Sequence, residues 1–438
     1  MRSIKFNLST PAATGWDAAI ALTEAYLTEN LKANQLLERL PDTFSGERRA
    51  ACQSLFLGAL RHGHRVQHAL QPFIRQKPRA LIEAIFLVAG YEMLSAEPEK
   101  YPQIVHHAVE RSKKLAAKSE TGLLNAVLRK LPEALAATHP SNKPDAHFSH
   151  PKWLFKRWNK EFGAQTTLKL MEWNQRIPAT YLKLYETPSE LPKGLETTRW
   201  DQFYKVSAGA SWKNDLHPLL NKGNAYVKDP STRLAPGLLA PKKGDDVLDL
   251  CAAPGGKAYD LAHLMGREGH IVALDLPGNR IQRLSENLEN LATEKLQCTI
   301  LEGDLLELTD DTFSQEGLPA HYDAVMLDAP CSNTGVIQRR TDVKWRLRGR
   351  DVSNCAYLQK QLLAAAARCV KPGGRLVYST CSIEIDENRE VVDAFLKSDA
   401  GARFTLKDSA ISLPWETGHD GAGAFLLLAD SEGAATNP

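Results

Sequence analysis

The chain has 438 residues, of which 43% are apolar and 24% are charged. At roughly 100–200 residues per domain, this length predicts two or three domains. The composition excludes a mostly disordered chain, a collagen-like repeat and a disulfide-stapled miniprotein. Residues 1–240 carry 33 Lys and Arg against 22 Asp and Glu, whereas the remainder carries 21 against 30. The basic front half indicates a module that binds a polyanion, or else charged faces that contact only solvent.

The front of the chain is predicted to be all-helical. Apolar residues recur at helical spacing, and prolines fall at or between the ends of helices expected at 18–36, 50–70, 79–94, 104–117 and 122–131. Basic residues cluster along this module, among them Arg111, Lys113, Lys114, Lys118, Arg129 and Lys130. We therefore predict a helical RNA-binding domain at 1–140.

A polar stretch at 139–144, rich in proline and small polar residues, predicts a linker. The part that follows, 145–235, suits helices at 153–162 and 165–174 and short strands at 180–185 and 224–227. Residues 141–240 carry 15 Lys and Arg against 9 Asp and Glu. This composition predicts a small mixed α/β subdomain that binds RNA.

From about residue 236 the pattern changes to short apolar strands that alternate with helical stretches. Strands are expected at 246–250, 271–275, 298–301, 323–328 and 374–379, and helices at 257–264, 280–292, 355–369 and 385–396. Repeated strand–helix units predict an α/β domain at 236–430 with a mostly parallel sheet. In such sheets a ligand binds beyond the carboxyl ends of the strands.

The first of these strands runs into the small-residue loop 251–257, where a helix begins. A Walker A loop would need Gly at 251 and Ser or Thr at 258, where this chain has Cys and Ala. The dinucleotide fingerprint is missing as well, so nucleotide hydrolysis and dinucleotide binding are disfavoured.

Three acids follow three successive strands: Asp249, Asp275 and Asp304. A lone acid at such a place is more often a turn or helix-capping residue. Three of them beside a Gly-Gly loop favour a nucleoside cofactor, because a carboxylate can accept hydrogen bonds from both hydroxyls of its ribose. An acidic pocket disfavours a pyrophosphate and suits a cofactor that carries an amine and a sulfonium, namely S-adenosyl-L-methionine.

Two cysteines stand at the ends of two further strands. Cys331 follows Asp328-Ala-Pro, and Cys381 follows Ser-Thr. Methylation of cytosine C5 needs such a set, because a thiolate that adds to C6 makes C5 nucleophilic, and a second thiol can assist release. Asp328 is placed to stabilise charge on the ring near N3. The spacing leaves open which cysteine attacks.

The segment 338–346 follows Cys331 and alternates basic residues with Trp345. Such a pattern suits phosphates and a stacking base of an RNA strand, or else a loop exposed to solvent.

The sequence gives no sign of a membrane or metal partner. No apolar run approaches the ~18 residues of a membrane span. The seven cysteines, at 52, 251, 298, 331, 355, 369 and 381, include no Cys-x-x-Cys pair and no zinc-type spacing. We expect free thiols, a cytoplasmic location and no metal.

The motifs Asp-Leu-Cys-Ala-Ala-Pro-Gly-Gly-Lys (249–257), Leu-Asp-Ala-Pro-Cys-Ser (327–332) and Ser-Thr-Cys-Ser-Ile-Glu-Ile-Asp-Glu-Asn (379–388) resemble the RNA cytosine-C5 methyltransferase family. The whole-chain layout resembles members that join a helical NusB-like RNA-binding domain to a Rossmann-like catalytic domain and methylate one cytosine of 16S rRNA.

The resemblance implies a role for each motif residue. Cys381 would be the nucleophile and Cys331 the release residue, with Asp328 facing both cofactor and base. Asp275 would bind the ribose, Asp304 the adenine edge, and Arg280 matches a family position after the ribose-binding acid. The methionine end of the cofactor would be lined by Cys251, Ala252, Ala253, Pro254, Gly255, Gly256 and Lys257.

Four departures from the family pattern leave every catalytic group in place. Ala258 replaces a threonine, Lys228 a glutamine and Asn333 a glycine or alanine, and 420–425 differs from the usual Asp-Gly-Phe-Phe. The main hypothesis is a monomeric methyltransferase of 16S rRNA. The alternatives are the same chemistry on tRNA, and a non-catalytic rRNA-binding assembly or antitermination factor.

Overall fold

A computed structural model describes residues 14–220 and 224–431, so the first 13 residues of the predicted front domain lie outside it. The helices, in chain order, are α1 (Gly15–Thr28), α2 (Ala33–Leu37), α3 (Gly46–Leu70), α4 (Ala80–Ser95), α5 (Tyr101–Ser112), α6 (Lys118–Leu128), α7 (Leu131–Ala136), α8 (Pro144–His147), α9 (Lys152–Phe162), α10 (Ala164–Gln175), α11 (His217–Leu220), α12 (Leu234–Leu239), α13 (Gly256–Leu264), α14 (Arg280–Glu289), α15 (Asp310–Gln315), α16 (Val343–Arg346), α17 (Gly349–Arg368), α18 (Arg389–Leu396) and α19 (Pro414–Thr417).

The strands are β1 (Tyr181–Leu184), β2 (Leu195–Thr197), β3 (Phe203–Val206), β4 (Ala225–Val227), β5 (Asp246–Leu250), β6 (Gly269–Asp275), β7 (Leu296–Glu302), β8 (Tyr322–Asp328), β9 (Val370–Thr380), β10 (Phe404–Ser412) and β11 (Ala422–Ala429). Among the described residues, no helix is both long and apolar enough to span a membrane.

The chain forms two compact units. The first contains the described residues up to Ile177 together with Ile337–Arg346, and the second contains the rest. This division cuts through the predicted middle domain, because α9 and α10 group with the first unit and the strands β1–β4 with the second. The predicted domains 1–140, 145–235 and 236–430 stay predictions.

The first unit is a helical bundle around a continuous apolar core. Helices α3 and α4 lie against each other closely, since a Cβ on Gly58 would overlap the Tyr91 ring. The helix expected at 18–36 is two helices, because the backbone is extended at Glu29 and a new helix begins after Lys32. The Asp342 carboxylate accepts from Ala33 N at the start of α2 (3.2 Å), a distant contact that helical spacing cannot reveal.

The segment 338–346 corrects a prediction, because part of it is buried within the helical unit. Lys344 has no exposed surface and its Nζ donates to Arg61 O (2.8 Å). Trp345 Nε1 donates to Leu60 O (2.9 Å), and the Arg61 guanidinium donates to Gln338 O (3.0 Å). At Lys344 neither expectation for this segment holds, because its buried side chain contacts neither an RNA phosphate nor solvent.

The second unit contains two sheets. The small one has the order β2-β3-β1-β4 and is antiparallel throughout. The large one has the order β10-β11-β9-β8-β5-β6-β7, with parallel pairing from β9 to β7 and antiparallel pairing of β9, β11 and β10. The predicted fold class, a mostly parallel α/β sheet preceded by a helical region, is confirmed. The carboxyl ends of β5, β6, β7, β8 and β9 share one edge, and the predicted site residues follow these ends.

Candidate active site

The loop between β5 and α13 is held in a conformation that needs glycine. Gly255 has φ +98°, and a Cβ there would lie 3.2 Å from Leu284 Cδ1 and 3.3 Å from Asn287 Cβ on α14. Asn287 Nδ2 also donates to Pro254 O (2.6 Å). The loop backbone is thus fixed against α14, and α13 begins at Gly256.

Asp275, at the end of β6, supports this loop from the other side. It is 3% exposed, and its Oδ2 accepts from Ala253 N (2.8 Å). Its Oδ1 accepts from Leu276 N (2.9 Å) and from Arg280 Nη2 (3.0 Å). The predicted pair Asp275 and Arg280 is therefore together at the loop, and its part in binding a ribose stays a prediction.

Asp304 has a local partner. Its Oδ1 accepts from Leu306 N (2.9 Å), which is the arrangement of a turn-capping aspartate. The residue remains partly exposed at the same sheet edge. Its predicted contact with the adenine edge is not tested by this bond.

Asp249 is the fully buried acid of the site. Neither carboxyl oxygen has a hydrogen-bond partner among the described residues. Burial raises the pKa of Asp249 to about 8, with Lys257 opposing and Asp328 and Asp275 adding to the rise. An unpartnered buried carboxyl is costly, so it indicates a group that a ligand completes.

Asp328 and Lys257 form an ion pair at the mouth of the site. The second oxygen of Asp328 accepts from Ser379 Oγ (2.9 Å). Burial disfavours the charged form of Lys257, but the Asp328 and Asp249 carboxylates outweigh burial and raise the pKa of Lys257. Lys257, the last residue of the loop 251–257, is therefore a cation paired with Asp328.

The two predicted cysteines meet. The Sγ atoms of Cys331 and Cys381 lie 3.2 Å apart, and both thiols are free. Asn333, at φ +62°, bridges their loops: its Nδ2 donates to Cys331 O (2.7 Å) and its Oδ1 accepts from the Cys381 thiol (3.2 Å). The adjacent Cys381 sulfur and burial raise the pKa of Cys331 well above its usual range.

Other cysteines of the second unit are poor nucleophiles. Burial raises the pKa of Cys251 to about 12, and the acids around it add to the effect. Burial and Glu387 raise the pKa of Cys355 to about 12 as well. Their thiols stay protonated near neutral pH.

The structure adds supporting residues that the sequence analysis did not assign to the site. Lys228 Nζ donates to Gly256 O (2.6 Å) at the start of α13 and to Asp260 Oδ2 (2.8 Å), while Lys183 Nζ binds Asp260 Oδ1 (2.7 Å). Burial lowers the pKa of Lys228 to about 8, and Asp260 opposes the shift. Lys228, which departs from the family pattern, thus joins the end of β4 to the start of α13.

Glu387 is a second addition. It is fully buried and receives hydrogen bonds from the residues that directly follow the two cysteines. The only sequence signal was its place in the run 379–388 that carried the resemblance.

Comparisons with known proteins identify the family of the chain. The family model described as 16S rRNA methyltransferase RsmB/F matches residues 236–415, and the NusB family model matches residues 17–133. A curated relative from Yersinia pseudotuberculosis, named ribosomal RNA small subunit methyltransferase B, is 31% identical over 409 residues, covering 89% of this chain and 91% of the relative. A Bacillus subtilis protein, named probable ribosomal RNA small subunit methyltransferase B, is 28% identical over 401 residues and 87% of each chain.

A solved structure of a methyltransferase homologue from Pyrococcus horikoshii shares the fold, with a TM-score of 0.55 and 24% identity over 67% of this chain and 100% of that chain. Fold and site together define a methyltransferase of the S-adenosylmethionine-dependent class. Within that class, the chain belongs to the 16S rRNA methyltransferase RsmB/F family.

The residues present fit S-adenosylmethionine. The glycine loop presents backbone without side chains, and the unpartnered Asp249 carboxyl lies among Lys257, Asp275 and Asp328, which shift its pKa. A cofactor with a cationic amine matches an acid that has no hydrogen-bond partner within residues 14–220 and 224–431. The predicted loop residues 251–257 would hold its methionine end.

Proposed function

We propose that this chain methylates carbon 5 of one cytosine in RNA, and that the RNA is 16S rRNA. The observation that carries the proposal is the Cys331–Cys381 contact of 3.2 Å, beside Asp328 at the edge of the sheet where the cofactor loop lies. Two thiols in contact fit a reaction in which one sulfur attacks the ring and the other assists its release.

We assign the attack to Cys381 and the release to Cys331. This assignment follows the resemblance of the motifs at 327–332 and 379–388, in which the second cysteine attacks and the first assists release. The Cys381 thiolate adds to C6, and the C5–C6 double bond supplies the electron pair that C5 uses. S-Adenosylmethionine supplies an electrophilic methyl group.

After methyl transfer, C5 carries both the methyl group and a proton. This proton is lost to solvent with the assistance of Cys331, the electron pair of the C5–H bond forms the C5–C6 double bond again, and the bond between Cys381 and C6 breaks to return the thiolate. Asp328 is assigned to the N3 and amino edge of the base, where an acid stabilises charge that develops during addition. Lys257 and Ser379 hold its two oxygens in place.

Two observations support 16S rRNA as the substrate. The curated relatives are named ribosomal RNA small subunit methyltransferase B, and the front half of this chain is basic. The helical region at 1–140 and the basic part at 145–235 are the proposed RNA-binding modules. The cytoplasmic location and the monomeric state stay predictions.

A covalent trap tests the mechanism. Cys331→Ser, expressed in cells and run on a denaturing gel, should give a slow band that ribonuclease removes, because Cys381 stays bound to C6. Cys331→Ser/Cys381→Ala should abolish the band. Cys298→Ser, a change at a cysteine on β7 away from the pair, is the matched control and should give none.

Sequencing the trapped RNA identifies the substrate. A 16S rRNA cytosine supports the proposal, whereas tRNA would favour the first alternative. Purified wild-type protein that binds RNA but transfers no methyl group would favour the non-catalytic alternative. Methyl transfer without any adduct in Cys331→Ser would contradict the assigned cysteine roles.

A further inference from the structure

The loops that carry the two cysteines are joined through one buried carboxylate. Glu387 Oε1 accepts from Ser332 N (2.8 Å), directly after Cys331. Its Oε2 accepts from Ser332 Oγ and from Ser382 Oγ (2.6 Å), directly after Cys381. A single side chain therefore holds both loops at the residues next to the reacting sulfurs.

Further bonds fix Glu387 itself. Gln359 Nε2, on α17, donates to Glu387 Oε1 (3.2 Å) and to Pro330 O (2.9 Å), on the other side of Cys331. Tyr378 OH donates to the backbone carbonyl of Glu387 (2.6 Å). Burial raises the pKa of Glu387, while the Ser332 and Ser382 donors oppose the shift. The carboxylate is held in place because its donors Ser332, Ser382 and Gln359 are themselves buried.

The bonds are unequal between the two loops. The Cys331 loop gives Glu387 a backbone N–H and a hydroxyl from Ser332, whereas the Cys381 loop gives one hydroxyl from Ser382. Cys381 directly follows β9 and its carbonyl accepts from Gly335 N (3.1 Å), while the Cys331 carbonyl accepts from the Asn333 side chain (2.7 Å). Loss of the carboxylate should thus move Cys331 more than Cys381.

We propose that Glu387 is a positioning residue that sets the Cys331 thiol against the Cys381 adduct and so controls the release step. The inference rests on the proposed function, because it needs a covalent adduct that Cys331 helps to resolve. A misplacement on the order of 1 Å in a reacting group can cost about 100-fold in rate. The addition step, which uses Cys381, should be affected much less.

The test is adduct formation and release measured separately. Glu387→Ala should form the ribonuclease-sensitive adduct at close to the wild-type rate and release it about tenfold to 100-fold more slowly, so that the adduct accumulates. Glu387→Gln keeps an acceptor for Ser332 N and can bond both serine hydroxyls, so it should restore release. Glu390→Ala, the same change at an exposed position three residues on, is the matched control.

Ser332→Ala provides a second, milder variant in case Glu387→Ala does not fold. It removes the hydroxyl that donates to Glu387, together with its longer contacts with Thr334 Oγ1 (3.5 Å) and Ser382 Oγ (3.3 Å), but keeps the bond from Ser332 N. It too should accumulate adduct. A folded Glu387→Ala or Ser332→Ala that releases RNA at the wild-type rate would overturn the inference. So would equal loss of addition and release, or a Glu387→Gln variant as slow as Glu387→Ala.

Cys331→Ser in the same assay separates this inference from the proposed function. If Cys331→Ser traps no adduct, the proposed mechanism is wrong. If Cys331→Ser traps the adduct and the Glu387 variants do not, only the role of Glu387 is wrong.

Discussion

Asp249 gives the most specific expectation for the cofactor site. Its pKa rises from an ordinary value of 3.8 to about 8, chiefly through burial, so its carboxyl is mostly protonated near neutral pH. S-Adenosylmethionine brings a cationic amine, which favours the ionised carboxylate. We therefore expect cofactor binding to release a proton from Asp249.

The size of this effect follows from the pKa. With a pKa of about 8, the carboxyl holds about 0.9 proton near pH 7, half a proton near pH 8 and about 0.1 near pH 9. Proton release on binding should fall in the same proportions, and the apparent affinity should rise up to about tenfold per pH unit below pH 8.

Without the cofactor, the free energy of unfolding should change with pH in the opposite direction to the affinity, falling as the pH rises. A carboxyl whose folded pKa is raised contributes stability that is complete below its unfolded pKa, and this stability is lost as the pH rises toward about 8. The difference between the two pKa values corresponds to on the order of 5 kcal/mol in the free energy of unfolding. Asp249→Asn should remove this loss, so that the variant is more stable than the wild type at higher pH.

Titration calorimetry in buffers of low and high ionisation enthalpy measures the proton release directly. Asp249→Asn should show no dependence on the buffer. Asp246→Asn, on the same strand but paired with Lys371 (3.1 Å), should release protons like the wild type. A wild-type binding enthalpy that is the same in every buffer at about pH 7 would refute the assignment of Asp249.

Two further expectations concern the backbone at Gly255 and the buried side chain of Lys344. Gly255→Ala should weaken S-adenosylmethionine binding roughly five- to thirtyfold, as measured by calorimetry. The reason is that a side chain at φ +98° costs about 1–2 kcal/mol and crowds Leu284. Unchanged affinity would contradict the proposed fit of the cofactor to this loop. Lys344→Met should leave RNA affinity and its salt slope unchanged, whereas loss of a phosphate contact would lower the slope by about one. Burial holds the pKa of Lys344 well below its usual range, so the wild type loses stability as the pH falls from about 10. Lys344→Met should thus raise the melting temperature more near pH 7 than near pH 10, and an equal change at both values would count against a neutral buried amine.

The parallel part of the sheet could be predicted because each strand has a strong local signal. The strands β5, β6, β7, β8 and β9 are short apolar runs that end in small or polar residues, and all of them are found. The antiparallel strands β10 and β11 were not predicted. β11 pairs with β9 and β10 pairs with β11, and neither pairing leaves a local pattern beyond moderate apolarity.

The meeting of Cys331 and Cys381 was predictable for the same reason. Both follow neighbouring parallel strands, β8 and β9, whose carboxyl ends share one edge. Their roles could not be ordered from spacing, because the ionisation of a thiol depends on its surroundings. Protonation depends on burial and on neighbours that come from distant parts of the chain.

Lys344 and Glu387 show why supporting residues escape a sequence analysis. Charge ordinarily indicates exposure, since an unpaired buried charge is costly. Burial favours the neutral form of Lys344, and both residues have hydrogen bonds to groups that no local pattern displays. Lys344 donates to the carbonyl of Arg61, which lies 283 residues away in the chain. Glu387 accepts from Ser332, 55 residues away. A motif therefore identifies the groups that react, whereas the groups that hold them must be found by tracing the hydrogen bonds of every buried polar atom.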